Sequence, residues 1–304
     1  MNTRRDFLKG GTAALLYGSA SLSGSKLAAE DKAGTKYLDL PLGLELYSVR
    51  DMLPTDYEGT LKQIGALGYR EVEAAGFYNH SASQVKRAMK QAGLRCVSAH
   101  YSYDDLHTTL DQIVAFSKEI GLETIVCPGP GRKDPSHYHG RPDVFTLEDW
   151  RWNAEQFNKI GERVHAAGLK FGYHNHTREF KKQDGVTPYD ELMRLTDPSK
   201  VTMEMDCGWV IVGGGNPIEL LRRYPTRISM LHVKDFKWTK SSDPESSPPP
   251  ATELGRGVID YGPIFEAAAL TGHIKHCFVE QEEFDIPAFQ SLKIDADYMR
   301  KFQA

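Results

Sequence analysis

The chain has no Cys-x-x-Cys pair: its four cysteines, Cys96, Cys127, Cys207 and Cys277, are scattered over 304 residues. That spacing encodes neither a zinc knuckle nor a dithiol redox site. Each cysteine falls in or beside an expected strand, as a small buried hydrophobe does, although an oxidising compartment leaves room for one disulfide. Basic charge is not in excess either, with 37 Lys and Arg against 41 Asp and Glu and a formal net charge of −4. An acidic body argues against phosphodiester substrates of nucleic-acid size. No apolar run approaches the ~20 residues of a membrane-spanning helix. No Gly-x-Gly-x-x-Gly follows an early strand, and Gly213-Gly214-Gly215 lacks the spacing of a dinucleotide fingerprint. A disordered composition is absent too, since 40% of residues are hydrophobic and 26% charged.

Residues 1–33 read as a leader and linker. Thr3-Arg4-Arg5-Asp6-Phe7-Leu8-Lys9 precedes a short, glycine-diluted apolar run from Gly10 to Ala20, and a Ser/Ala-rich stretch continues to Ala29. Paired arginines followed by Phe-Leu-Lys resemble a twin-arginine export signal, the alternative being a plain basic tail. The expectation is cleavage between Ala20 and Ala33, a periplasmic or secreted mature protein, and a metal loaded before export.

From Leu61 onward an amphipathic helix repeatedly ends in glycine and a short apolar strand follows at once. The junctions are Ala66-Leu67-Gly68-Tyr69, Gln91-Ala92-Gly93-Leu94, Glu119-Ile120-Gly121-Leu122 and Ala166-Ala167-Gly168-Leu169. Glycine there supplies the left-handed cap, so the pattern is one of βα units. Strands are expected over 41–49, 70–76, 95–101, 123–128, 169–175, 201–206, 228–234 and 274–281. Helices are expected over 57–67, 82–92, 106–120, 147–167, 189–196, 217–224, 262–271 and 290–302. Eight alternating units without a polar linker give a single α/β domain, a (β/α)8 TIM barrel over residues 38–304, in preference to an open doubly wound sheet. Two irregular segments, 129–146 and 239–256, follow the fourth and seventh strands, on the side where barrels build their sites. His137 and His139 in the first of these read as surface residues.

Side chains alternate between the faces of a strand. His174 and His176 share a face at the end of strand five, as do Glu204, Asp206 and Gly208 on strand six. His232 and Lys234 do so on strand seven, and Phe278, Glu280 and Glu282 on strand eight. A single strand histidine is ordinarily a packing residue, Asp206 alone is a helix cap, and Glu280 alone is an ion-pair partner. Recurrence at four successive strand ends points instead to a metal site. The mixed nitrogen and oxygen donors suit one divalent Mn, Co, Zn or Fe ion, with Mg less favoured by imidazoles.

These pieces, in this order, resemble the xylose isomerase-like sugar isomerase/epimerase superfamily from about Leu40 to the C-terminus. The resemblance is carried by Gly43-Leu44-Glu45-Leu46-Tyr47-Ser48-Val49-Arg50, Val97-Ser98-Ala99-His100 and Tyr173-His174-Asn175-His176. It continues through Met205-Asp206-Cys207-Gly208-Trp209, His232-Val233-Lys234-Asp235, Gly255-Arg256-Gly257 and Phe278-Val279-Glu280-Gln281-Glu282. It implies metal ligation by Asp206, His232 and Glu280. The family's glutamate after strand five is replaced by an imidazole, His174 or, as second choice, His176. Losing one of the family's two opposed glutamate bases weakens the case for simple ketose epimerisation.

The implied chemistry is abstraction of a proton next to a carbonyl, giving an enediolate that leads to isomerisation, epimerisation or β-elimination. Histidine titrates near neutrality, which makes His176 the first candidate base. Glu282, Lys234 and Glu280 are alternatives, and Lys234 is equally an oxyanion partner. His100, Glu73, Trp209 and Arg256 are candidate substrate contacts, with Trp238 a further stacking candidate. The expected partner is a small sugar, with no nucleic acid and no membrane span in the mature form; an oligomer is allowed. A lyase or dehydratase on keto-glycosides and a non-catalytic carbohydrate-binding barrel are the competing readings. An endonuclease IV-like nuclease is disfavoured by the acidic charge.

Overall fold

The computed structural model describes residues 38–133, 145–238, 240 and 247–302. The expected leader, His137 and His139 lie outside these residues.

Eight parallel strands form the barrel. They are β1 (Gly43–Glu45), β2 (Glu71–Ala74), β3 (Arg95–His100) and β4 (Thr124–Cys127). The second half comprises β5 (Lys170–His174), β6 (Thr202–Asp206), β7 (Ile228–Val233) and β8 (His276–Val279). Because β1 pairs with both β2 and β8, the sheet closes and leaves no edge. The four junction glycines adopt φ of 98°, 67°, 88° and 84° at Gly68, Gly93, Gly121 and Gly168. Each turns the chain through left-handed backbone directly from helix to strand.

The structure departs from the expected elements in four places. The first strand stops at Glu45, because Glu45 Oε1 accepts the Tyr47 amide at 3.1 Å and winds Leu46–Val49 into a 3-10 helix. The segment expected as one helix over 106–120 is two, Tyr103–Thr108 and Leu110–Ile120, broken at Thr109 with φ −130° and ψ 24°. A helix at Cys207–Val212 starts straight from β6, capped by Asp206. Asp235–Phe236 and Ala251–Thr252 form an antiparallel ribbon outside the barrel.

The interior is layered. At the N-terminal end, His276 Nδ1 lies 2.7 Å from Glu71 Oε2, and Arg95 bridges Glu71 and Glu123. An apolar layer of Val97, Val126, Met230 and Phe278 follows. Next toward the strand C-termini comes a polar layer of buried Glu73, His174, Glu204 and His232 with partly exposed His100. The Phe278 ring separates the two polar levels, 6.1 Å from the His276 ring and 5.7 Å from that of His232. Outward-facing strand residues pack on the helices in one large core. All four cysteines are buried free thiols, which leaves no disulfide among them. No described helix is long and apolar enough to cross a membrane.

Phe278 is fully buried, so Phe278→Ala opens a cavity between two polar levels. A destabilisation of ~3–5 kcal/mol is expected, measured by denaturant unfolding; a loss below ~1 kcal/mol would show that the layer is not a packed partition.

Candidate metal centre

Each barrel strand delivers its last inward side chain to the same end. On β6, Asp206 does two jobs with its two oxygens. Oδ1 accepts the Trp209 amide at 2.7 Å and caps the following helix. Oδ2 is buried without a hydrogen bond, 3.0 Å from Lys234 Nζ and 3.9 Å from His174 Nε2. Asn175 fixes the strand end from outside, accepting the Asp206 amide at 3.2 Å.

His174, Asp206, His232 and Glu280 bring one donor atom each within 4.8 Å of one another. Each imidazole is held from its far side. His174 Nδ1 faces Glu204 Oε2 at 3.0 Å, which leaves Nε2 on the Asp206 side. His232 Nδ1 faces Glu280 Oε2 at 2.8 Å, and its Nε2 faces Glu73 Oε2 at 2.6 Å. A histidine whose second nitrogen meets a carboxylate is the usual arrangement around a protein-bound metal. Buried mixed N/O donors, with an Asp206 oxygen that accepts no hydrogen bond and meets the Lys234 ammonium, fit a divalent transition ion.

Electrostatics prepare the same site. Burial, reinforced by His232 and His176, holds the His174 pKa well below the ordinary value, so its imidazole is neutral. Burial acts against charge on His232, but Glu204, Glu280 and Glu73 outweigh it and hold its pKa well above normal. Burial likewise opposes charge on Lys234, and Asp206, Glu280 and Glu282 overcome it. Glu280 is held far below the carboxylate range despite burial, by Lys234 and His232. Burial pushes Asp206 up to about 6.

A cavity of about 550 Å³ opens over the cluster, lined by His100, His174, His176, Glu280 and Glu282 on the barrel side. Tyr47, Phe77, Tyr101, Ser102 and Asp105 line the remainder. A family model for the xylose isomerase-like TIM barrel matches residues 61–302. The chain belongs to that family. An inosose dehydratase of Lacticaseibacillus casei is 25% identical over 248 residues, covering 75% of this chain and 82% of that protein. One of Clostridium tetani is 26% identical over 248 residues with the same coverage. A sugar phosphate isomerase/epimerase of Parabacteroides distasonis superposes with a TM-score of 0.71 at 26% identity, covering 87% of this chain and 100% of that one. A probable 3-DHS dehydratase of Bacillus anthracis shares the fold, with a TM-score of 0.67 at 14% identity.

Within this xylose isomerase-like barrel the expected site residues separate clearly. His174, rather than His176, joins the ligand cluster. His176 lines the cavity with its ring 6.2 Å from Trp209, and burial together with Lys234 pushes its pKa down to about 3. The expectation of an unshifted histidine base is therefore corrected. Lys234 is only 2% exposed and is not part of the cavity wall; it lies 3.0 Å from Glu280, 2.7 Å from Glu282 and 4.6 Å over the Trp209 ring. Glu73, fully buried against His232 and His100, and Trp209, packed under Lys234, are likewise behind the wall, not on it. Arg256 pairs loosely with Glu253 at 3.4 Å, away from the cavity. Among the expected contacts, His100 does line it. The sequence reading gave no site role to Glu45, to Glu204 (two residues before Asp206 on the same face), or to the wall contributed by Tyr47, Phe77 and Tyr101.

A metal entering this site must displace the proton that His232 carries at neutral pH. Affinity is expected to rise with pH through the raised His232 pKa, with about one proton released per metal, measured by titration calorimetry in buffers of different ionisation enthalpy. Binding with no proton release and no pH dependence would contradict the assignment of His232.

Proposed function

We propose that this chain is a metal-dependent enzyme that removes the proton beside a carbonyl of a sugar or keto-polyol, with dehydration as the first outcome. The carrying observation is the asymmetry of the cavity wall. Carboxylates, Glu280 and Glu282, stand on the β8 side, and neutral imidazoles, His174 and His176, on the β5 side. Epimerisation at one carbon asks for a competent base on each face of a planar intermediate. Elimination asks for one base and a route for the departing oxygen. The inosose dehydratase relatives support the same outcome. Isomerisation or epimerisation is the second reading, supported by the likeness to a sugar phosphate isomerase/epimerase.

A divalent metal held by His174, Asp206, His232 and Glu280 would supply Lewis acidity, polarising the carbonyl and stabilising charge on its oxygen. Glu282, with its side chain 32% exposed and Oε1 2.7 Å from Lys234 Nζ, takes the proton. The C–H electrons form the new double bond as the β C–O bond breaks. Glu282 then returns its proton to the departing hydroxyl, and water leaves. Lys234 acts from behind the wall, aiming Glu282 through their 2.7 Å contact. His176 and His100 offer hydrogen bonds to substrate hydroxyls. The paired Arg4 and Arg5 and the short apolar run after them support export by the twin-arginine route, which favours an extracytoplasmic substrate over a sugar phosphate.

Keto-sugars and keto-cyclitols incubated in D2O are expected to exchange the hydrogen beside the carbonyl and to yield an enone, followed by NMR and ultraviolet absorbance. Glu282→Gln should lower kcat by ~10²–10⁴-fold with metal content unchanged. Binding without exchange or product across the panel would instead mark a carbohydrate-binding barrel.

A further inference from the structure

A second cluster of donors lies beside the first, on the other half of the barrel. Glu45, Glu73, His100 and His232 place one donor atom each within 4.8 Å of one another. Glu45 and Glu73 are 0% exposed. Glu73 Oε2 meets His232 Nε2 at 2.6 Å and His100 Nε2 at 3.1 Å. Glu45 Oε2 and Glu73 Oε1 are buried with no hydrogen-bond partner. Glu204 adds a third fully buried carboxylate, 2.9 Å from the same His100 nitrogen, and its Oε1 also lacks a partner.

Charge counting makes this layer unusual. A divalent ion in the outer site is balanced by Asp206 and Glu280, with His174 and His232 neutral, and Lys234 balances Glu282. Three inner carboxylates, Glu45, Glu73 and Glu204, then face a single imidazole that is free to carry charge, His100. Among the described residues no lysine or arginine pairs with any of the three. Uncompensated charge in a dry interior is strongly unfavourable, so the layer must take up a proton or a cation, and the unpartnered Glu45 Oε2 and Glu73 Oε1 are open to either.

We propose that Glu45, Glu73 and His100 form an inner divalent-cation site, bordered by the Nε2 edge of His232. Two carboxylates and imidazole nitrogen are the donor set of Mn²⁺, Fe²⁺, Co²⁺ or Zn²⁺. Three of the four strands that contribute no outer ligand, β1, β2 and β3, supply it. His232 on β7 presents Nδ1 to the outer site and Nε2 to the inner one, and so couples them. Entry is through the cavity, where the His100 side chain is 13% exposed. The inner site does not depend on the proposed reaction; the outer site enters only through the charge count.

The test is metal stoichiometry on the full chain reconstituted with Mn²⁺ and freed of excess ion, together with its electron paramagnetic resonance spectrum. Two equivalents and a spectrum broadened by coupled spins are expected. Glu45→Gln should lose one equivalent and give the resolved hyperfine pattern of isolated Mn²⁺, while Asp206→Ala should lose the other and keep the inner ion. One equivalent in the wild type, retained by Glu45→Gln and lost in Asp206→Ala, overturns the inner site and leaves the outer one standing: the layer is then neutralised by protons. The reverse pattern overturns the outer site alone. Should Glu45→Gln fail to fold, as judged by circular dichroism, His100→Gln takes its place and the wild-type count still decides.

Discussion

Closing a parallel sheet forces the inward side chains of eight strand ends into one small volume, and in this barrel most of those side chains are ionisable. Everything at the active end follows from the need to balance charge there. Lys234 is drawn in among Asp206, Glu280 and Glu282, and Gly208 makes this possible: a Cβ at that position would lie 2.5 Å from Lys234 Cγ. His232 is gripped by carboxylates at both nitrogens. Asp206 spends one oxygen on a helix cap and turns the other toward Lys234 at 3.0 Å. A buried ion pair alone is poor evidence of stability. A set of buried carboxylates with too few cations must be neutralised by protons or by a bound ion.

Much of this was legible in the sequence because alternation on a strand is a strict geometric rule. Junction glycines fixed where strands begin, and alternation then placed His174, Asp206, His232 and Glu280 on one inner surface. What alternation does not provide is depth. Glu204 and Asp206 share a face, yet Glu204 lies behind the imidazoles and Asp206 is held between Lys234 and the helix it caps. Glu73 has the same inward direction as a substrate contact would, but its strand ends one level lower. Alternation puts His174, the first choice of ligand, and His176, the second, on one face; β5 ends at His174, which leaves the second histidine past the strand. Trp209 and Arg256 were misplaced for another reason: the helix starting at Cys207 turns the indole back under Lys234, and the Gly255–Gly257 loop is tied to Asp235, whose Oδ2 accepts the amides of Gly255 and Gly257 at 3.0 Å.

The replacement of a strand-five carboxylate by His174 bears on chemistry as much as on metal binding. A neutral imidazole would hold an ion without adding negative charge, so a cation bound there would retain more Lewis acidity. The same substitution removes one candidate base and leaves the carboxylates gathered on the β8 side. Shared fold does not choose among reactions, and the relatives include both dehydratases and isomerase/epimerases. The proposal of a one-base elimination rests on the wall chemistry, with carboxylates on the β8 side and imidazoles on the β5 side.

The central claim is that the strand-end cluster is a metal centre. Anomalous diffraction from crystals of the Mn²⁺-loaded protein, collected on either side of the manganese edge, addresses it directly. The account predicts a strong peak ~2.0–2.2 Å from His174 Nε2, Asp206 Oδ2, His232 Nδ1 and a Glu280 oxygen. A map with no peak among these four residues, from protein that carries stoichiometric metal, would contradict it.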